Sequence, residues 1–214
     1  MKQSDFVDPR DGKNYTTVRI GEQIWMAENL DASHYCNGDP VDRVGSNARW
    51  GDSEGACCYY NKESQNGSDF GKLYNWHAVV DPRGLAPEGW HIPSDEEWKQ
   101  LEMFLGLSRV HADYSGWRGE KEGGLLKAMG EDRWVSPNTE AVDKYGFAGL
   151  PGGYRDVSGD FYVKGSAGYW WTSTMEKEFF AWYRTLYHSA AKIHRKVGYS
   201  GDGFSVRCVK NTED

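Results

Sequence analysis

The stretch "GWHIPSDEEW", residues 89–98, joins a Trp-His pair to a proline and then to three acidic residues. Its reading decides the fold. Taken as chemistry, Trp90 and His91 ahead of Asp95, Glu96 and Glu97 would form a catalytic or metal-binding corner. Taken as architecture, the same residues start a helix. Ser94 and Glu97 have the spacing of a capping box: the hydroxyl accepts from the third helical N–H, and the Glu side chain returns to the N–H of the cap. Acidic residues in a first turn also suit the positive end of the helix dipole. Pro93 fixes the entry, and Trp98, Leu101, Phe104 and Leu105 mark one apolar face of a helix running to about Gly106. Adjacent carboxylates on one turn point different ways, which suits a shared substrate poorly. The architectural reading is therefore adopted. His91, with no partner at ligand spacing, reads as an imidazole bonded to backbone at a turn, and His77 beside Trp76 reads the same way.

Upstream, "YTTVRIGEQIWMAENL" (15–30) alternates, with Val18 and Ile20 on one face and Ile24 and Met26 resuming after Gly21-Glu22; this is a β-hairpin. Residues 31–68, rich in Gly, Asn, Asp and Ser, read as a long irregular segment. Phe70, Leu73, Trp76, Val79 and Val80 have helical spacing and predict a second helix over 70–80. "DPRGLAPEGW" is a turn-rich connector. Downstream, 107–168 is Gly-rich, with a short helix expected at "EGGLLKAMG". The last fifty residues read as strands. In "EFFAWYRTLY", Trp182, Arg184 and Leu186 share one face and Tyr183, Thr185 and Tyr187 the other; in "GFSVRCVK", Phe204, Val206 and Cys208 share a face. No internal repeat or linker is visible. The expectation is one α+β domain over 1–214, with two main helices, an antiparallel sheet and long irregular loops.

Composition supports this. Ten Trp and thirteen Tyr supply large buried areas, and 26 Gly favour turns and short strands. The net charge of −7 and the lack of a Lys/Arg run argue against nucleic acid. No apolar window is long enough to span a membrane. The polar start "MKQSDF" fits either a cytoplasmic protein or one whose export signal was trimmed. Cys36, Cys57, Cys58 and Cys208 permit two disulfides in an oxidising compartment, or are four reduced thiols. Zinc is disfavoured, because vicinal Cys57-Cys58 chelates poorly and Cys36 and Cys208 lack a partner at ligand spacing, His34 being the near miss. "DPRDGKN" lacks the alternating oxygens of a calcium loop. "GYSGDG" is not a nucleophile elbow, and no phosphate loop is present.

Six segments occur in the order seen in the Fibrobacter succinogenes major paralogous domain, which the chain resembles from about Asp8 to Lys210. They are "DPRDGKNYTTVRIGEQIWMAENL", "FGKLYNWHAV", "LAPEGWHIPSDEEW", "GFAGLPGGYRD", "GYWWTST" and "GFSVRCVK". The resemblance implies a secreted or lipid-anchored bacterial surface protein. The layout also resembles the C-type lectin-like fold shared with formylglycine-generating enzymes, which implies a scaffold presenting a variable binding surface, here over about 174–199. The reactive cysteine pair that formylglycine-generating enzymes carry near the C-terminus has no counterpart, since only Cys208 is there. The His-x3-His-x-Glu motif of related iron-dependent sulfoxide synthases is absent too. The resemblance further implies the pairings Cys58–Cys208 and Cys36–Cys57.

The expected function is therefore a non-enzymatic extracellular binding module for a glycan or a surface protein. The expected contact residues are Tyr183, Thr185, Tyr187, His188, Lys192, His194 and Tyr199, because flat rings with polar edges stack on sugars or pack on protein epitopes at low entropic cost. No cofactor is called for, with calcium left open by the fold class. The alternatives are a cysteine- and metal-dependent oxidoreductase relative, and a structural surface or fibre domain.

Overall fold

A computed structural model describes residues 4–43, 50 and 54–212. Residues 44–49 and 51–53, within the segment expected to be irregular, lie outside the described residues.

The alternating segment at 15–30 folds as expected. Asn14–Ile20 pairs antiparallel with Gln23–Met26, Ile20 facing Gln23 across the turn. Ser4–Val7 extends one edge of this pair, and Val209–Lys210 then Trp90–His91 extend the other, giving a five-stranded sheet. The chain's late strand is thus inserted between two early ones. A second sheet of six short strands runs, in spatial order, Phe161–Tyr162, Tyr154–Arg155, Gly203–Phe204, Leu73–Asn75, Ala56–Cys58 and Asp42–Arg43. A third holds Ala167–Lys177, Phe180–Tyr187, Ile193–Tyr199 and Gly116–Arg118. All named pairings are antiparallel except that of Asp42–Arg43 with Ala56–Cys58. The protein is a mixed α and β structure of mostly antiparallel sheets with few helices.

The helix read from "IPSDEEW" spans Asp95–Leu105, with both halves of the Ser94–Glu97 capping box formed and Gly106 at its end with φ +127°. Trp98 anchors it: its ring meets Trp25 at 5.0 Å and Phe147 at 5.7 Å, edge to face. Such geometry adds to the area each ring removes from water. Asp95 does more than sit in a first turn. Its carboxylate takes Arg184 at 2.7 Å and Arg195 at 2.7 Å, and Glu102, about two turns further along the same face, takes Arg184 at 2.6 Å and Arg118 at 2.7 Å. This buried network fastens the helix to one face of the four-stranded sheet. The two guanidinium groups hold the Asp95 carboxyl well below the usual carboxylate range against the opposing effect of burial.

Three expectations are corrected. The helix over 70–80 is absent: Gly67–Phe70 and Trp76–Val79 are single turns flanking a strand, Leu73–Asn75. Gly71, at φ +68° with the carbonyl oxygen of Leu30 2.7 Å from where a Cβ would lie, interrupts any continuous helix. Leu73, Tyr74 and Asn75 are all buried, so the strand shows no alternation. "EGGLLKAMG" forms successive turns rather than a helix. A five-residue helix, Arg109–Asp113, went unread. One main helix therefore stands where two were expected. Lastly, all four cysteines are free thiols. Adjacent residues on a strand point to opposite faces, so Cys57 and Cys58 enter different clusters. Cys58 packs with Trp50 and Leu73, while Cys57 and Cys208 lie in the larger core. Exposed Cys36 places its Sγ on the Ala86 carbonyl at 2.8 Å. The pairings Cys58–Cys208 and Cys36–Cys57 are not formed.

Candidate functional site

The four-stranded sheet turns one face to the helix and the other to a layer of rings. Cross-strand register builds that layer: Tyr169 lies opposite Thr185, Thr185 opposite His194, and His194 opposite Trp117. Trp171 faces Tyr183 in the same way. Onto this face the six-stranded sheet lays Phe204, Tyr154 and Tyr162. Phe204 meets Trp171 at 4.2 Å and Tyr183 at 4.7 Å, and it stacks on Tyr169 at 5.2 Å. Tyr154 meets Tyr169 at 4.9 Å and stacks on exposed Tyr162 at 5.3 Å.

The cover stops short of one end. There Trp117, 48 % exposed, meets His194 at 4.7 Å and Tyr187 at 6.5 Å. Tyr187 in turn meets His188 at 5.1 Å. Burial lowers the His194 imidazole from its usual range, as do the charges of Lys196 and Arg118, so it presents a neutral ring at neutral pH. Beside these rings lies a groove of about 530 Å³ lined by Leu107, His111, Tyr114, Trp117, Glu120 and Lys192 among others. Two exposed aromatic side chains, Tyr114 and Trp117, stand in one polar groove.

The structure brings Tyr187, His188, Lys192 and His194 to this end. It corrects Tyr183 and Thr185, which are 8 % and 4 % exposed. Their strand is buried on both faces from Tyr183 to Leu186, because the six-stranded sheet covers the side read as open. Tyr183 reaches the layer's edge only with its hydroxyl end, and the Thr185 hydroxyl is buried without a partner. Tyr199 pairs with Phe180 at the opposite end of the hairpin, five residues from the Thr185–His194 pair, so it is about 17 Å away. Trp117, Tyr154, Tyr162 and Tyr169 were missed. Their strands are two or three residues long, or all but featureless in periodicity. The only available signal was the exposed type of ring in "YSGWRG".

His91 differs from its reading as well. Its Nε2 meets the Glu97 carboxylate at 2.6 Å and its Nδ1 meets the Asn211 side-chain oxygen at 2.7 Å, so its partners are side chains rather than backbone. These contacts raise its pKa, the Glu97 bond most of all. The pair edges a groove of about 510 Å³ with Gln23, Gln100 and Lys210. Ser94 bonds to Glu97 through both its N–H and its hydroxyl, and not to His91. Burial pushes the Cys57, Cys58 and Cys208 thiols up to about 12, 11 and 12. Among the described residues no group of three or more His, Cys, Asp or Glu is placed to hold a metal ion. No helix among them is long and apolar enough to cross a membrane.

The sequence profile of the Fibrobacter succinogenes major domain matches residues 18–210. The chain belongs to this family. In this Fibrobacter succinogenes major domain, the match takes in the capped helix, the four-stranded sheet and every ring of the layer. No curated protein matches the chain, and no solved structure matches it.

Proposed function

We propose that this protein is a non-enzymatic binding module, displayed outside a bacterial cell in a C-type lectin-like arrangement, and that it takes a glycan on the Trp117–His194–Tyr187 end of its ring layer. One observation carries the reading: three rings from three strands of one sheet converge, and one of them, Trp117, lines a polar groove of about 530 Å³. Flat rings offer the apolar faces of sugars a stacking surface, and groove residues such as Lys192 and Glu120 offer hydrogen bonds to their hydroxyls. The ring network behind them holds these side chains in place before the ligand arrives, which lowers the ordering cost of binding. Redox chemistry at Cys57, Cys58 or Cys208 is disfavoured, because thiols with pKa values near 11 and 12 carry almost no thiolate at neutral pH.

A glycan array probed with the wild type, Trp117→Ala, Tyr187→Ala and Tyr199→Ala tests this. Binding is expected to weaken about tenfold or more in the first two variants and to persist in Tyr199→Ala. A blank array for the wild type, or binding by Trp117→Ala and Tyr187→Ala that equals the wild type's, overturns the reading.

A further inference from the structure

Beyond Tyr187 the ring layer continues toward a polar end that the groove does not use. Tyr169 leads from Tyr187 to Tyr154 and Tyr183, and the hydroxyls of all four are near enough that the other three raise the titration of Tyr169, which burial raises most. The hydroxyls of Tyr154, Tyr169 and Tyr183 accept or donate no hydrogen bond within the described protein. Tyr183 is more than nine-tenths buried, with its hydroxyl left to the margin of the layer.

At this margin stands Asp202. Gly203 pairs with Arg155, so Asp202 closes the end of the Tyr154–Phe204 pair, with Asp156 opposite it. The Asp202 carboxylate is held by two backbone N–H groups, Tyr199 at 3.2 Å and Val157 at 3.2 Å. It makes no ion pair among the described residues. The groups that bear on it are Tyr199 and Val157 through those N–H groups, Asp156 through its charge, and the hydroxyls of Tyr154 and Tyr183, which its own charge reaches. Asp156 is already engaged by Ser158 at 2.6 Å and the Asp160 N–H at 3.0 Å. Asp202 is thus a half-buried carboxylate without an ion pair, beside the unbonded phenol oxygens of Tyr154 and Tyr183 and a wall of rings; Lys196, opposite Tyr183 on the same sheet face, makes no ion pair with it.

A half-buried anion of this kind is costly to leave unneutralised. The chemistry that satisfies all of it at once is a protonated primary amine. Its three N–H donors can reach the carboxylate and phenol oxygens, and the adjoining CH groups can rest on the rings. A neutral hydroxyl would serve the phenols and leave the charge unmatched; an anion would be repelled. We infer that the Asp202 end of the ring layer is an ammonium subsite, and that the glycans taken by this surface carry amino sugars with a free amine. The inference rests on the glycan-binding reading above and names its ligand class.

Titration calorimetry with β-1,4-linked oligomers of glucosamine, of N-acetylglucosamine and of glucose, equal in length, tests it. At about pH 7 the wild type is expected to bind the glucosamine oligomer roughly tenfold or more tightly than the other two, the scale of a charge-assisted hydrogen bond. In Asp202→Asn that preference is expected to vanish while the affinity for the glucose oligomer stays. In the wild type the preference should fade as pH falls through about 6, where burial places the Asp202 titration, because acid only adds protons to the sugar amine, so a loss of preference on that side comes from the carboxylate. This pH profile carries the test if Asp202→Asn does not fold. Equal binding of the three oligomers, or a preference that survives in Asp202→Asn or is flat across pH 5–7, overturns the subsite and leaves the glycan reading standing. No binding by any oligomer, together with a blank array, overturns both.

Discussion

The two faces of the four-stranded sheet treat their polar groups in opposite ways. On the helix face, Arg118, Arg184 and Arg195 are all but fully buried, and each reaches Asp95 or Glu102 within 2.9 Å, although Arg118 Nε itself is buried without a partner. On the ring face, phenol hydroxyls and one carboxylate end at the margin with no such partner. The helix face is therefore committed to holding the molecule together. The ring face leaves phenol oxygens and the Asp202 carboxylate without a side-chain partner of opposite charge or donor type.

Substitutions separate the faces, and the largest effect belongs to the helix face. Glu102→Ala leaves Arg118 and Arg184 without one of their carboxylates inside the protein, and is expected to destabilise it by about 3–5 kcal/mol in urea unfolding. The same face sets the response to acid. The folded-state pKa of Asp95 is depressed, so its contribution is complete above its unfolded value of about 3.9 and is lost as pH falls through the folded value. A loss of less than about 1 kcal/mol for Glu102→Ala would erase the contrast between the faces.

An intermediate effect sits at the edge of the five-stranded sheet. His91 is raised and Glu97 lowered by their contact, so the pair contributes above the unfolded Glu value of about 4.3 and below the folded His value, which lies above about 6.5. Its benefit is expected to disappear as pH rises through that folded His value. Because the imidazole is 38 % exposed, solvent screening limits the pair to less than about 1 kcal/mol. Comparing unfolding of the wild type and His91→Ala across pH 5–9 measures it; a difference that grows with pH would assign His91 another role.

The smallest effect is expected on the ring face. Tyr183→Phe deletes a hydroxyl that has no partner within the protein, so stability should change by no more than about 0.5 kcal/mol. A cost above about 1 kcal/mol by thermal unfolding would mean that the hydroxyl is structurally engaged, and the two faces would then differ less than their hydrogen bonds indicate.

Local signals in the sequence were sufficient wherever one element carried its own instructions. The Gly21-Glu22 hairpin and the Ser94–Glu97 cap are built from residues near one another in the chain, and both stand where the pattern put them. Apolar spacing misled at 70–80, because a strand buried on both faces has no period and Phe70, Leu73 and Trp76 matched a helix by coincidence. The rings of the candidate site were half legible for a related reason. The alternation of Tyr183, Thr185 and Tyr187 shows that they share a face. It cannot show that Tyr154, Tyr162 and Phe204, from three two-residue strands, close over part of it. Asp95 was read as a helix-terminus acid, and its partners Arg184 and Arg195 lie some ninety to a hundred positions away, beyond the reach of any local pattern.

The insertion of Val209–Lys210 between Gln23–Met26 and Trp90–His91 has a consequence for how the molecule is made. The first sheet lacks the strand that joins Gln23–Met26 to Trp90–His91 until Val209–Lys210 has left the ribosome, so the nascent hairpin waits with an unpaired edge. Completion is a late, long-range closure, which makes slow folding and sensitivity to premature termination built-in properties of this topology.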